Sequence, residues 1–396
     1  MTQTLPHPAS CDVLIVGAGI TGLTHAAEAV ARGLSVIVID RDTRAVGASI
    51  RNFGHCCVTA QSGELLDLAR TARDGWLRHS ELAGFFSTES GGLAVARNEY
   101  EVAVLEELSA GRGADQVSMI DADQVRTLLS GSGDPAIMAG AVLRDDIRVD
   151  PREAVGKLAA WLARQPRVTF SWRTAYLGTE DVGVNESTAR TSRGPIRAAR
   201  TIVCVGHDLD MVLPETAEEF EVDRCALQMA LVRPASSVRI SPAVLTGTSM
   251  LRYPAFAQTS AATELRRELA AHSPELLAID ANLMLTQRPD GTLIIGDSHV
   301  TETTVDPFLS EQTSDTLLTA AAHLLGSGQF QVLQRWQGVY ASSPRQSFLI
   351  ENVSDTVTAV SVTSGIGMTI SFGLARKTFD QLDQNQPVPA LSNVRS

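Results

Sequence analysis

Cysteine is scarce in this 396-residue chain: Cys11, Cys56, Cys57, Cys204 and Cys225 make an odd set without CxxC spacing. That excludes a disulfide framework and offers no zinc-ligand pattern, so no metal is expected and a reducing, cytoplasmic setting is. The adjacent pair Cys56-Cys57 would close a strained ring as a disulfide and reads as packing. Basic residues are outnumbered, 33 against 45 acidic, for a net charge of −12. A nucleic-acid partner is therefore not expected, because affinity for a phosphate backbone comes mainly from clustered Lys and Arg. No run of 18 apolar residues occurs, and the opening MTQTLPHPAS lacks a basic start followed by an apolar stretch, so neither a membrane span nor a secretion signal is expected. Internal repeats, low-complexity segments and a Ser-His-Asp order are all missing, which sets hydrolysis by a triad aside.

What is present is an ordinary globular composition, 44% hydrophobic and 20% charged, over a length that suits two domains. Asp12 to Val16 is a short apolar run that ends at Gly17, and Ile20, Leu23, Ala26, Ala27 and Val30 then share one helical face. Gly33 stands where a helix stops, and Ser35 to Ile39 forms a second buried strand that ends at Asp40. The unit is βαβ, with a parallel pairing and a right-handed crossover.

Gly17-Ala-Gly19-Ile-Thr-Gly22 sits at the turn of that unit. Gly17 permits the tight turn, Gly19 lets backbone approach a pyrophosphate, Gly22 allows helix and strand to pack, and the helix N-terminus favours an anion. Asp40 is placed to accept hydrogen bonds from an adenosine ribose. Strand, helix, strand and terminal acid together predict a dinucleotide site without distinguishing FAD from NAD.

Further helices are predicted from about Ser62 to Ala83, around Tyr100 to Ala110, and from Asp150, an N-cap before Pro151, to Arg164. A loop is expected at Gly131 to Pro135, and strands at Leu93 to Ala96, Val168 to Phe170, Thr201 to Val205 and Thr356 to Val362. The segments Cys225 to Val232, Thr248 to Ala255, Leu283 to Gln287 and Thr292 to Ile295 read as an antiparallel sheet, with a turn at Pro289-Asp-Gly291. The expected fold class is α/β: a discontinuous Rossmann-like dinucleotide domain over 1–84, 146–215 and 331–396, and an inserted α+β substrate domain over 85–145 and 216–330.

Gly47-Ala-Ser-Ile-Arg-Asn-Phe-Gly54 and Ser364-Gly-Ile-Gly-Met-Thr369 resemble the segments that pass along the FAD pyrophosphate and isoalloxazine in the D-amino-acid oxidase and glycine oxidase family. Within it, Arg224-Cys-Ala-Leu-Gln-Met229, Leu251-Arg-Tyr-Pro-Ala-Phe256 and Gly296-Asp-Ser-His299 are similar to a subfamily linked to aminophosphonate breakdown. The resemblance implies non-covalent FAD held by Gly17, Gly19, Gly22, Asp40, Arg41, Ser49, Asn52, Gly367, Met368 and Thr369. The neighbours Ile20, Thr21, Ala48, Phe53, Gly54, Gly365 and Ile366, and Gly206 at the end of another strand, complete the expected cofactor set. His55 does not match the spacing of histidines that attach flavin in relatives.

The resemblance also implies oxidation of a small amine carrying an anionic group, with hydride passing to flavin N5, hydrolysis of the imine, and molecular oxygen as acceptor. Two positions depart from the family pattern: Tyr340 stands in Trp336-Gln-Gly-Val-Tyr340 where an arginine often holds a carboxylate, and Ala226 stands where the subfamily has lysine. Arg252, Arg51 and Arg345 are the candidate anion partners, because a guanidinium fork matches carboxylate or phosphonate oxygens. His299 either bonds substrate, orients Tyr340 and Tyr253, or is a satisfied structural histidine. An aminophosphonate such as 2-aminoethylphosphonate is favoured over glycine or sarcosine. An NAD(P)H-dependent flavin reductase would need a second dinucleotide fingerprint, and a non-catalytic FAD-binding protein would show flavin without turnover.

Overall fold

A computed structural model describes residues 9–131, 133–183, 186–235 and 237–385. Most of the opening decapeptide, Ser132 of the Gly131 to Pro135 loop, and the tail from 386 lie outside the described residues. Strand Ala9–Val16 is buried at all but one position, as a parallel strand covered on both faces requires. It pairs in parallel with Val36–Asp40 on one side and Ile196–Val203 on the other. Val168–Trp172 continues the parallel sheet beyond Val36–Asp40, and Val357–Val362 continues it beyond the last residues of Ile196–Val203. Antiparallel strands Tyr176–Gly183, Glu186–Thr191 and Phe348–Asn352 complete this first sheet.

Helix Ile20–Ala31 follows the first strand with almost no connecting chain, and glycine makes that possible. Gly17 has φ +103°, and a Cβ there would collide with the Cys204 carbonyl oxygen. A Cβ on Gly22 would in turn collide with the Gly17 carbonyl, so the helix rests directly on the turn it leaves. Past the helix, Gly33 takes the left-handed conformation at φ +76°.

The second sheet runs Val300–Glu302, Asp223–Arg233, Leu293–Gly296, Met284–Gln287, Ala243–Leu245, Gly92–Ala96, Ala139–Leu143, Val117–Asp121. It is antiparallel except at Ala243–Leu245 against Gly92–Ala96, which pair in parallel; Asp223–Arg233, Leu293–Gly296 and Met284–Gln287 pair antiparallel as expected. Gln331–Ser342 pairs along the whole of Asp223–Arg233 and belongs to this sheet. The expected boundary at 331 therefore does not coincide with a change of sheet. The stretch Thr248 to Ala255 is not a strand: it holds the short helices Gly247–Met250 and Pro254–Ala257. Thr246 and Ser249 close a capping box, and Pro254 occupies a first-turn position, so local capping signals set two short helices in place of a strand.

Helix Gly367–Asn385 packs against both Ile20–Ala31 and Gly63–Ala83. A Cβ on Gly373 would strike the Leu68 backbone, which sets how closely the last two helices cross. Trp76 is fully buried, edge-on to Phe85 and Phe372, and its Nε1 donates to the Met368 carbonyl at 2.7 Å. This fixes where the last helix begins. Asp150 accepts from the Arg152 N–H as an N-cap, and Pro151 opens its helix as the sequence predicts.

His25 joins the first and last helices: Nδ1 lies 2.7 Å from the Thr21 carbonyl and Nε2 3.0 Å from Thr378 Oγ1. Burial pulls its pKa down from 6.5 to about 4. Between those values the unfolded chain binds the extra proton, so stability present above about pH 6.5 is lost as pH falls towards 4. A His25→Gln variant should show a smaller drop in Tm between pH 7 and pH 5 than the unaltered protein; an equal drop would contradict this.

Candidate active site

A single continuous cavity of about 650 Å³ runs from the glycine turn of the first sheet to the face of the second, within the size range of ordinary ligand pockets. Gly17, Gly19, Ile20 and Thr21 line one end together with Asp40. Asp40 Oδ2 accepts from the Ala18 N–H at 2.7 Å and Oδ1 from the Asp42 N–H at 2.8 Å. Burial pushes the Asp40 carboxyl up from its usual value, and those two amides work in the opposite direction. Gly22 does not line the cavity and serves packing alone. Arg41 stands at the rim, with a side chain 63% exposed and paired with Asp208 at 2.7 Å.

Ala48, Ser49, Asn52 and Phe53 line the same space. Ser49 Oγ accepts from the Ile20 N–H at 2.9 Å, tying this loop to the helix N-terminus. Asn52 turns its amide inward: Nδ2 donates to the carbonyls of Ala48 and Ser49, and Oδ1 accepts from the Gly54 N–H at 2.8 Å. Its part is to shape the loop. Gly54 lies off the cavity, at φ +69° with the Val149 carbonyl where a Cβ would be. Gly206, at φ +62°, lines the cavity beyond the strand Ile196–Val203.

Gly365, Ile366, Gly367, Met368 and Thr369 bring the start of the last helix to the cavity. Gly365 has φ +76°, and a Cβ there would come within 3.0 Å of the Tyr340 ring. Thr369 Oγ1 accepts from the Cys57 N–H at 3.2 Å. Two helix N-termini thus open on one space, which suits negative charge. Buried Ser361 Oγ, without a hydrogen-bond partner, and buried His55, whose Nδ1 has none, also line it. Amide donors at two helix starts and a carboxylate at Asp40 fit the diphosphate, ribose and ring system of a flavin dinucleotide.

At the other end stand Arg252, Tyr253, His299 and Tyr340. Arg252 Nη2 donates to Tyr340 Oη at 2.7 Å, and its Nη1 lies 3.6 Å from an Asp280 carboxylate oxygen. Arg252 comes from the turn between two short helices and meets Tyr340, the residue that stands where the family resemblance puts an arginine. Burial acts to lower the Arg252 pKa, but the charges of Tyr340 and Asp297 outweigh it and hold it raised. Burial raises Tyr340 well above the usual phenol range and Tyr253 likewise. His299 Nδ1 faces the Asp280 carbonyl at 2.9 Å, so that nitrogen carries the hydrogen and Nε2 is left as an acceptor. Burial lowers its pKa to about 3.

Arg51 lines the cavity and is held at the second sheet, Nη1 donating to the Gln337 carbonyl at 3.1 Å. Arg345 is not at the site: it forks onto Glu221, with both side chains more than half exposed. Sequence reasoning missed Asp297 and Asn282, which line the cavity beside Arg252. Asp297 stood inside the Gly-Asp-Ser-His motif, but nothing in its spacing marked it as buried; Asn282 carried no signal. The sequence offers no metal-ligand spacing, yet buried His55, Cys57 and Asp146 bring ligand atoms within 4.8 Å of one another. Both Asp146 oxygens are already taken, by His55 Nε2 at 2.8 Å and the Thr59 N–H at 2.7 Å, so Asp146 and His55 form a buried hydrogen-bonded pair with Cys57 beside it. All five cysteines are buried and free.

Gly17→Ala should leave a protein that purifies with little flavin, and Asp40→Ala should weaken FAD rebinding to the stripped protein about 10- to 100-fold, the worth of hydrogen bonds to a charged group. Fluorescence titration with FAD reads both; unchanged affinity in either variant would contradict this placement.

The same architecture occurs in glycine oxidase from Bacillus cereus ATCC 14579, with TM-score 0.76, 16% identity, and 95% of this chain and 96% of that one covered. It occurs also in L-proline dehydrogenase from P. horikoshii, with TM-score 0.77, 17% identity and coverage of 96% and 94%. Gamma-glutamylputrescine oxidoreductase of Escherichia coli (strain K12) is 30% identical over 31% of this chain and 33% of that protein, so the match spans a third of that relative. The family model described as FAD dependent oxidoreductase matches residues 12–381, from the first strand into the last helix. With that match over nearly its whole length, and with the glycine turn, Asp40 and the last helix converging on one cavity, the chain belongs to the FAD dependent oxidoreductase family and is an FAD-dependent enzyme.

Proposed function

We propose that the chain oxidises a small amine carrying an anionic group, with an aminophosphonate such as 2-aminoethylphosphonate as the favoured substrate and molecular oxygen as the acceptor. The observation that carries this reading is Arg252: a guanidinium in the cavity wall, oriented by Tyr340, with Asp280 as its only carboxylate within 4 Å among the described residues. An arginine so placed is matched by the oxygens of a carboxylate or phosphonate. The three segments similar to the aminophosphonate-linked subfamily meet here: Leu227, Arg252, Tyr253, Asp297 and His299 all line the same end of the cavity. The relatives named above act on amines or amino acids by their names, which supports the amine.

In this reading Gly17, Gly19, Asp40 and the start of the last helix hold FAD. Bound FAD supplies a two-electron acceptor, so that an amine losing a hydride from its α-carbon becomes an imine, which water then converts to a carbonyl product. The chain's own side chains fix the geometry. Arg252 grips the anion, Tyr340 holds Arg252, and the partly buried Tyr253 and buried Leu227 shape a wall that limits water at the reacting carbon.

Anaerobic mixing with small amines tests it. Flavin absorbance should bleach with 2-aminoethylphosphonate, and more slowly with β-alanine, glycine or sarcosine. Arg252→Gln should cost about 30- to 5,000-fold in kcat/KM, the range for removing one partner of a buried charge pair. Bleaching by no amine would overturn the reading; faster bleaching by the carboxylates would move the substrate to the amino-acid class.

A further inference from the structure

Next to Arg252 the cavity wall changes character from donor to acceptor. Asn282 and Asp297 lie side by side, exchanging backbone hydrogen bonds of 2.8 and 3.0 Å. Both side chains are buried, with relative exposures of 3% and 5%. Asn282 Oδ1 and Asp297 Oδ1 have no hydrogen-bond partner, although leaving a buried acceptor unsatisfied is destabilising. His299 Nε2, left as an acceptor by the bond its Nδ1 makes, is 3.8 Å from Asp297 Oδ2. Three acceptors on one cavity wall, one of them an acid, call for a ligand with several N–H donors and positive charge.

From this the geometry points to Asp297, Asn282 and His299 as the receptor for the substrate's ammonium group, with Asp297 taking the proton that must leave before oxidation. The inference rests on the amine-oxidising reading and names the residues that select the amine. In the proton step an N–H bond of the ammonium breaks and an O–H bond forms at the Asp297 carboxylate. The electron pair stays on nitrogen and the net charge of the pair is unchanged. The amine is then neutral, as loss of a hydride from its α-carbon requires.

The surroundings of Asp297 favour that role. The groups facing it from the packed elements are Arg252 and Tyr253 on the turn between short helices, Asp280 and Asn282 before the strand Met284–Gln287, His299, Tyr340 on Gln331–Ser342, and Cys225 on Asp223–Arg233. Burial pushes the Asp297 carboxyl up to about 7, with Arg252 working against the rise. A carboxylate in that range accepts a proton near neutral pH and returns it to water without a large barrier. Arg252 and Asp297 together match a zwitterion: anion on one, cation on the other.

The test uses the FAD-loaded enzyme, without oxygen, and two isosteric ligand pairs: 2-aminoethylphosphonate with propylphosphonate, and β-alanine with butyrate. Binding is read from perturbation of the visible flavin spectrum. Asp297→Asn should weaken both amine-bearing ligands about tenfold or more while leaving propylphosphonate and butyrate within about twofold. Arg252→Gln should weaken all four. Asn282→Leu, which replaces the amide by an apolar side chain of similar size and so removes the acceptor, should repeat the selective loss and covers the case in which Asp297→Asn does not fold. In the unaltered enzyme the rate of flavin reduction should rise through a group titrating near pH 7, and Asp297→Asn should lose that rise. Equal weakening of amine-bearing and amine-free ligands, no weakening of either, or no preference of the unaltered enzyme for the amine-bearing member of each pair overturns the inference. Selective loss without bleaching by any amine would instead retain the receptor and overturn the oxidation.

Discussion

The arrangement depends on how closely the first glycine turn passes beneath the Cys204 carbonyl. No side chain fits at Gly17 or Gly22, so the helix Ile20–Ala31 starts hard against the junction of two parallel strands. The turn and the first helical residues, Gly17 to Thr21, are thereby brought to the cavity, with the Ile20 N–H taken up by Ser49. The start of the last helix is brought to the same space by different means, through the Trp76 bond to the Met368 carbonyl and the close crossing at Gly373. Burying an aromatic of that size contributes stability of about 1.5–3 kcal/mol or more, and here the same side chain also fixes the position of a functional turn.

The two sheets then divide the work. The parallel sheet offers amides and one carboxylate to a dinucleotide, while the second sheet and its short helices offer a guanidinium, two phenols and an acceptor-lined recess. Leaving Asp297 and Asn282 acceptors buried and unpaired costs stability that a well-packed apolar wall would not. Such cost is ordinarily tolerated where a ligand satisfies the groups, and Arg252 alongside gives the recess both signs of charge.

Much of the first sheet was legible because its signals are local. The apolar run, the three glycines and Asp40 lie within 29 residues, and each acts on a neighbour in sequence. Arg252, His299 and Tyr340 could be named from short motifs, but their meeting could not, since 88 residues separate Arg252 from Tyr340. Arg345 is a guanidinium like Arg252, but it is engaged away from the site by Glu221, which lies 124 residues earlier. Thr248 to Ala255 misled because Thr248 and Tyr253 flank the apolar Met250 and Leu251 and read as a strand, whereas Thr246, Ser249 and Pro254 set helix starts by capping. Asp297 escaped notice because burial, not residue type, gives it its character, and burial there is made by strands distant in sequence.

One cavity joins the glycine turn to the Arg252 end, so flavin and substrate anion must share it. A crystal structure of the FAD-loaded protein grown with an amine-free phosphonate would show this. The diphosphate should lie at the turn Gly17 to Thr21, the ring system beside Gly365 to Thr369, and the phosphonate on Arg252. Flavin density elsewhere, or a phosphonate bound away from Arg252, would contradict it.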